Sequence, residues 1–311
     1  MIATVDRGVR NLYLLALILL KGKIAVKSFT SALLIVGLVA GCSKKPSGSY
    51  DVPDAVSASS SAAAEADALW EQRGDKASLQ QALSKYEEAY QADPRNREIA
   101  AQIVRGYYFL GDVHESDDAA KEQTWDTAIA WGKKCLAINE DFKAAVESGK
   151  SEEEAADTLT ADDIPCMYWT ATSLGKWARI KGLATLLKHK PTVFKFITQI
   201  TEQDPTYFHS AADRYWGAYY AALPSFAGQD LGLSVEHFDK SIAAAPDYLG
   251  TRVLKASYWA VKTQNKPAFE TLLNEVLSAD AAMTPEIQPE NEAEQDKARA
   301  LLAQKDDLFA D

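Results

Sequence analysis

Residues 246–280 read PDYLGTRVLKASYWAVKTQNKPAFETLLNEVLSAD, and the punctuation at the two ends of this stretch decides the fold. Ala245-Pro246-Asp247 closes one helix and Ala279-Asp280 closes another, a step of 34 residues from Pro246 to Asp280 (280 − 246). Inside the step, Ala256 and Trp259 sit one turn apart on a first helix, and the segment from Lys262 to Lys266 makes a polar turn around Asn265. Ala268 and Leu272 then lie four apart on a second helix, where side chains three or four apart share a face. One such pair cannot bury its apolar face alone, so the pattern requires neighbours stacked on either side.

The 34-residue helix–turn–helix step is the period of a tetratricopeptide repeat. The same grammar recurs outward. Ala82, Tyr86 and Ala89 precede Pro94 at the small, aromatic and small positions of a second helix, and Ser234, Phe238 and Ser241 stand at the same offsets before Pro246. Further helices are expected over 65–73, over 98–110 with Gly111-Asp112 as the stop, and over 125–138, where Gly132 permits close approach of a neighbour. Another opens at Met167-Tyr168-Trp169, with a partner helix begun by Pro191. The expectation is an all-α, tetratricopeptide-like helical repeat array of roughly four to five helix pairs over 64–283, completed by a C-terminal capping helix or strap over 284–311. No alternating strand pattern competes with it.

The chain has 311 residues and a net charge of −11, which argues against nucleic acid as a partner because phosphates need a basic footprint. Residues 1–41 read as a signal peptide: Lys21, Lys23 and Lys27 precede an apolar run from Ala32 to Ala40. That run is about half the ~18–20 residues a spanning helix needs. A second apolar run, Leu12 to Leu20, leaves the true start of the chain open. Val39-Ala40-Gly41-Cys42 resembles the lipobox of bacterial lipoproteins, which implies lipidation of Cys42 and attachment to the periplasmic face of a membrane; Ser43 after it implies the outer membrane. Residues 42–63, rich in Ser and Ala, read as a flexible tether.

Three stretches go beyond a generic repeat: Tyr168-Trp169 with Lys176-Trp177-Ala178-Arg179, the run Arg214-Tyr215-Trp216-Gly217-Ala218-Tyr219-Tyr220-Ala221-Ala222-Leu223-Pro224, and His237-Phe238 followed by Pro246-Asp247-Tyr248-Leu249-Gly250-Thr251-Arg252-Val253. Together they resemble the TatT family, the repeat-containing periplasmic lipoproteins associated with TRAP-type transporters. The resemblance implies a transport component that pairs with a periplasmic solute-binding protein, assembles as a homo-oligomeric ring with a central pore, and takes a hydrophobic small ligand.

On the residues alone, Tyr168, Trp169, Trp177, Tyr215, Trp216, Tyr219 and Tyr220, with Pro224 in the following loop, are the candidates for a ligand- or partner-binding surface. Each aromatic has a competing reading as helix-pair core. Consecutive pairs lie about 100° apart around a helix, so one member of each pair can face outward while its neighbour packs. No metal motif, serine elbow or glycine phosphate cradle is present, and no catalytic residue, metal or cofactor is expected. His209 and Asp213, four apart, read as a surface pair. The acidic stretch between Val146 and Asp163 reads as a solvated loop and helix start. Cys135 falls at a small core position and reads as a buried free thiol, with a bridge to Cys166 as the alternative an oxidising periplasm allows. The competing function class is an envelope-assembly scaffold that binds protein and no small molecule. A continuous pocket or channel lined by the aromatics is the observation that separates the two.

Overall fold

The computed structural model describes residues 46–55 and 61–309. Among these, all regular structure is helical. The chain forms α1 (Ser61–Trp70), α2 (Lys76–Ala92), α3 (Arg97–Phe109), α4 (Asp118–Leu136), the short α5 (Glu140–Glu147) and α6 (Glu152–Ala155), then α7 (Ile164–Lys181), α8 (Leu183–Gln203), α9 (Tyr207–Ala222), α10 (Leu231–Ala244), α11 (Gly250–Leu254), α12 (Lys266–Ser278), α13 (Gln288–Leu302) and α14 (Lys305–Leu308). None of the described helices is long and apolar enough to cross a membrane.

Short polar residues start several of the helices, and some starts lie ahead of the expected ones: α1 begins at Ser61 rather than at 65, and α4 at Asp118 rather than at 125. The side chains of Asp75, Asn96, Asp117, Asn139, Asp230 and Asn265 each accept a backbone N–H from the first turn, satisfying donors that the helix itself leaves open. Successive helices pack as pairs: α1 on α2, α3 on α4, α7 on α8, α9 on α10, and the turn after α11 on α12. Further contacts between α2 and α3, α4 and α7, and α8 and α9 join the pairs into an array. The repeat positions do what their spacing implies. Ala82, Tyr86 and Ala89 are buried, as are Ser234, Phe238 and Ser241. Close approach rests on glycine at two interfaces: a Cβ on Gly132 would lie 2.2 Å from Thr170 Oγ1, and one on Gly217 would lie 2.6 Å from the Phe238 ring.

Several local expectations are corrected. Gly111-Asp112 does not end its helix; the chain continues as a π-helical turn from Leu110 to His114, because Gly111 is pressed against Trp125, with room for no Cβ. Pro191 does not begin the partner helix but lies inside α8. The break falls at Gly182, whose φ of +97° only glycine adopts freely. The acidic stretch is more than a loop: it holds α6 and two 3₁₀ turns, and Asp163 is fully buried beside Arg97. Cys135 and Cys166 are not free thiols. They form a disulfide, with Cα atoms 5.6 Å apart, that clamps α4 to α7 where Gly132 already brings those helices close.

Cys42 and the leader lie outside the described residues. Residues 46–55, within the segment expected to tether the domain, run along α4 and α5. Lys133 Nζ donates to the carbonyls of Pro46 and Ser47, the Tyr50 hydroxyl donates to Glu152, and the Tyr50 ring packs on Phe142. At the other end, α13 packs on α12 and also reaches back to the opposite end of the array. Glu290 pairs with Arg73 at 2.7 Å and Arg105 at 2.8 Å, and Lys297 pairs with Asp112 at 2.7 Å. The C-terminal helix is therefore a cap on the last pair and a strap to the first two.

Candidate functional site

The aromatic residues singled out in the sequence separate into distinct groups. Tyr168 and Trp169, consecutive on α7, join Tyr108 of α3 with Tyr207 and Phe208 at the start of α9. Tyr248 closes this group against Phe208 and, in a stacked arrangement at 5.2 Å, against His209. Tyr215, Trp216, Tyr219 and Tyr220, further along α9, form a second group with Phe194 of α8. Trp177 belongs to neither, packing edge-on to His189. Pro224 begins the short 3₁₀ turn at Ser225–Ala227. Tyr168, Trp169, Trp177 and Trp216 are buried, while Tyr215, Tyr219, Tyr220 and Pro224 are partly exposed. Of the consecutive pairs, Tyr215-Trp216 alone splits, with Trp216 packed inward and Tyr215 partly exposed; Tyr168 and Trp169 are both buried, and Tyr219 and Tyr220 are both partly exposed.

The first group contains positive charge that the sequence did not single out. Arg105 of α3 lies over the rings of Trp70 at 4.9 Å, Trp169 at 5.5 Å and Phe208 at 4.9 Å. Arg214 of α9 lies over Tyr248 at 4.2 Å and Phe208 at 5.8 Å, and is only 4% exposed. Its guanidinium donates to the carbonyls of His209 and Phe208, at 2.9 and 3.2 Å, and to the Tyr168 hydroxyl at 3.2 Å. All three acceptors are neutral, and among the described residues no carboxylate pairs with Arg214. Arg105 shares its one carboxylate, Glu290, with Arg73, and its Nε is buried without a partner. Arg73 and Arg105 thus share a single carboxylate, and Arg214 has none among the described residues. Ordinary practice in folded proteins is the reverse, since a buried charge is costly unless paired.

The backbone here is equally unusual. Phe208, His209 and Ser210 all take left-handed conformations, with φ of 42°, 58° and 54°. A left-handed turn built on side-chain-bearing residues costs about 1–2 kcal/mol per residue, and such strain persists only where the surroundings enforce it. Arg214 supplies that enforcement by binding two of the turn's carbonyls. The turn also undoes the expected pairing of His209 with Asp213. His209 faces Tyr248, and Asp213 Oδ1 instead accepts from His237 Nδ1 at 2.7 Å.

Burial sets the titration of this region. His209 is held below the ordinary histidine value by burial first, then by Arg214 and Arg105. Burial pushes the Glu290 carboxyl up, but Arg105 and Arg73 outweigh it and hold it below the carboxylate range. Nearby, burial likewise acts upward on Asp112, and Lys176 and Lys297 overcome it to keep the carboxyl well below its usual range. Burial raises the Tyr248 hydroxyl well above an ordinary phenol.

Two surface depressions are described, one at Thr271, Asn274, Glu275, Leu277 and Ser278 and one at Ser151, Glu153, Glu154, Asp157 and Lys195. Neither includes any of the aromatics. Large apolar groups are exposed on the neighbouring elements: Phe194, which packs on Trp216 and Tyr219, with Leu183 and Leu187 at helical spacing on the same face of α8, then Phe226 in the loop after α9 and Leu233 at the start of α10. Among the described residues, no cluster of three or more His, Cys, Asp or Glu could hold a metal.

Comparison with curated proteins finds no match. Comparison with protein families finds one, the TRAP transporter T-component, whose model spans residues 75–309. That span begins at the N-cap of α2 and ends after α14, so it takes in both aromatic groups and the strap that closes the array. The chain belongs to the TRAP transporter T-component family.

Proposed function

We propose that this chain is the lipid-anchored, periplasmic member of a TRAP-type system, and that it docks a solute-binding partner through the apolar surface where α8 and α9 meet. The observation that carries the docking surface is exposure. Leu187 is 42%, Phe194 42% and Phe226 85% exposed. Exposed apolar groups clustered beside partly exposed tyrosines are the composition of a protein-binding surface. Cys42 carries the lipid in this reading, residues after it link the array to an outer-membrane leaflet, and self-assembly into a ring places several such surfaces around one axis. A hydrophobic ligand is held or passed within the aromatic shell.

The competing reading of the same surface is a scaffold that binds protein and no small molecule. Capture of the solute-binding subunit from the same transport system distinguishes the two. The full-length chain, immobilised through its C-terminus, is expected to retain that subunit, and Phe194→Asp with Phe226→Asp is expected to abolish retention while circular dichroism stays unchanged. Retention unaffected by both substitutions removes this surface from the proposal. No retention by the wild-type chain favours the scaffold.

A further inference from the structure

Residues 164–201 hold Lys176, Arg179, Lys181, Lys188, Lys190 and Lys195 and no Asp or Glu, in a chain of net charge −11. Four of these reach back to other elements: Lys176 to Asp112, Arg179 to Tyr258, Lys181 to Glu122 and Lys195 to Asp157. Lys188 and Lys190 stand on the first turns of α8, Lys188 exposed and Lys190 over the Tyr219 ring at 5.4 Å. Beside them Leu183, Leu187 and Pro191 step by four along α8, and all three are exposed. Side chains four apart share a face, so the start of α8 carries an apolar stripe flanked by lysines.

The N-terminal segment leads to the same place. Tyr50 packs on Phe142 of α5, Gly48 presses on Ala130 of α4 with room for no Cβ, and Ser47 N–H donates to Asp126 at 2.9 Å. Followed from Tyr50 back to Ser47, the contacts thus run down α4 towards its start. One turn before Asp126, Glu122 pairs with Lys181, next to the break at Gly182 where α7 gives way to α8. Lys133, which donates to the carbonyls of Pro46 and Ser47, is also near α8: burial holds the His189 ring below the ordinary histidine value, and Lys188 and then Lys133 add to it. Cys42 precedes Pro46 by four residues (46 − 42), a reach of at most ~14 Å.

We propose that the corner between α7 and α8, with Leu183, Leu187, Lys188 and Lys190, is seated in the anionic headgroup layer of the leaflet that receives the Cys42 lipid. The inference rests on the lipid anchor proposed above and names the face that the anchor brings to the membrane. Leucines enter the boundary with the acyl chains while lysines meet the phosphates, the arrangement of an interfacial helix. Elsewhere the chain is acidic and an anionic leaflet repels it, so charge selects this face. Lipid and corner together hold the array at two points, in one orientation. Phe194 and Phe226 stay with the docking surface, and Leu187 stands at the border between the two.

The test uses the lipidated chain recovered from membranes and placed in vesicles of phosphatidylcholine with phosphatidylglycerol. Cys135 and Cys166 are bridged, and Cys42 carries the lipid in this reading, so Leu183→Cys or Leu187→Cys supplies the one thiol for an environment-sensitive fluorophore. At either position the label is expected to shift to the blue, to be quenched by lipid brominated near the headgroup, and to resist iodide in the water. The same label on Met283→Cys, in the acidic loop after α12, is expected to behave as in water. Lys188→Gln with Lys190→Gln is expected to lower the ratio of seated to unseated chains by about 5-fold per lysine. Quenching as strong in pure phosphatidylcholine as with phosphatidylglycerol overturns the anionic surface. Free access of iodide to both labels, in a chain that floats with the vesicles, overturns the inference and leaves the anchor standing. Shielding from iodide and lipid alike gives the face to a protein and overturns it too. A chain that does not float with vesicles removes the anchor and the inference together.

Discussion

Two residues show how much a single side chain controls here. Gly217 is fixed by the Phe238 ring, since an added Cβ would lie 2.6 Å from it and Phe238 is fully buried. Gly217→Ala is therefore expected to lower unfolding free energy by about 1–3 kcal/mol, the range for overpacking a core, despite the better helix propensity of alanine; chemical denaturation measures it. His209 controls pH response. Its ring faces Arg214 and Arg105 on the cationic side, with Glu290 and Asp247 acting the other way, and the folded state holds it below its ordinary value near 6.5. The unfolded chain therefore binds the proton first as pH falls, and stability declines from about pH 7 downward until the folded ring also titrates. His209→Asn keeps a residue that tolerates the left-handed turn and removes the proton site. Its melting temperature is expected to lose that decline between pH 7 and pH 5, and an unchanged slope would assign it elsewhere.

At the scale of elements, an N-cap is a local contract between one side chain and the next turn, and Asp75, Asn96 and Asn265 honour it. The start of α8 was not legible. Pro191 reads as a start because its ring suits a first turn, yet α8 begins at Leu183 and accommodates it internally. Packing against α7 and α9 holds the helix across the missing N–H. Pairing of Cys135 with Cys166 was equally hidden: a small position in a helix pattern fits a thiol and a half-cystine alike, and only the meeting of α4 with α7 brings the sulfurs together. The bridge closes a loop of 31 residues. By chain entropy it contributes ~3–4 kcal/mol. The double variant Cys135→Ala, Cys166→Ala is expected to lose that much in a urea titration while keeping its helical spectrum. No loss would mean the α4–α7 interface already fixes the geometry without the bond.

At the scale of the whole molecule, the strap matters most. Glu290 on α13 is the one carboxylate between Arg73 and Arg105, and Lys297 on the same helix joins Asp112 with Lys176. These contacts connect residues 185 and 217 positions apart, so the C-terminal helix converts an open array into one whose two ends are tied. Glu290→Gln is expected to destabilise by about 3–5 kcal/mol, the cost of leaving buried charge uncompensated, and to expose the C-terminal helix to protease before the remainder. Acid acts on the same groups. Glu290 and Asp112 are both held below the ordinary carboxylate range, so the stability they contribute is present above about pH 4 and is lost as pH falls further.

The sequence by itself determined the repeat. Period, small-and-aromatic offsets and turn residues are local quantities, and Ser234, Phe238 and Ser241 could be placed in the core from spacing alone because helical geometry fixes which positions share a face. It also carried Tyr168, Trp169 and the α9 tyrosines as candidates, and, inside the same quoted stretches, Arg214 and Tyr248. Nothing in the sequence marked Arg105 as their neighbour, or the turn at Phe208 as left-handed. Those depend on α3, α7, α9 and α13 converging, and the pairing of a buried charge is a property of distance between elements. Charge, burial and strain at Phe208 were therefore decided by the tertiary structure, where residues far apart in the chain share one interior.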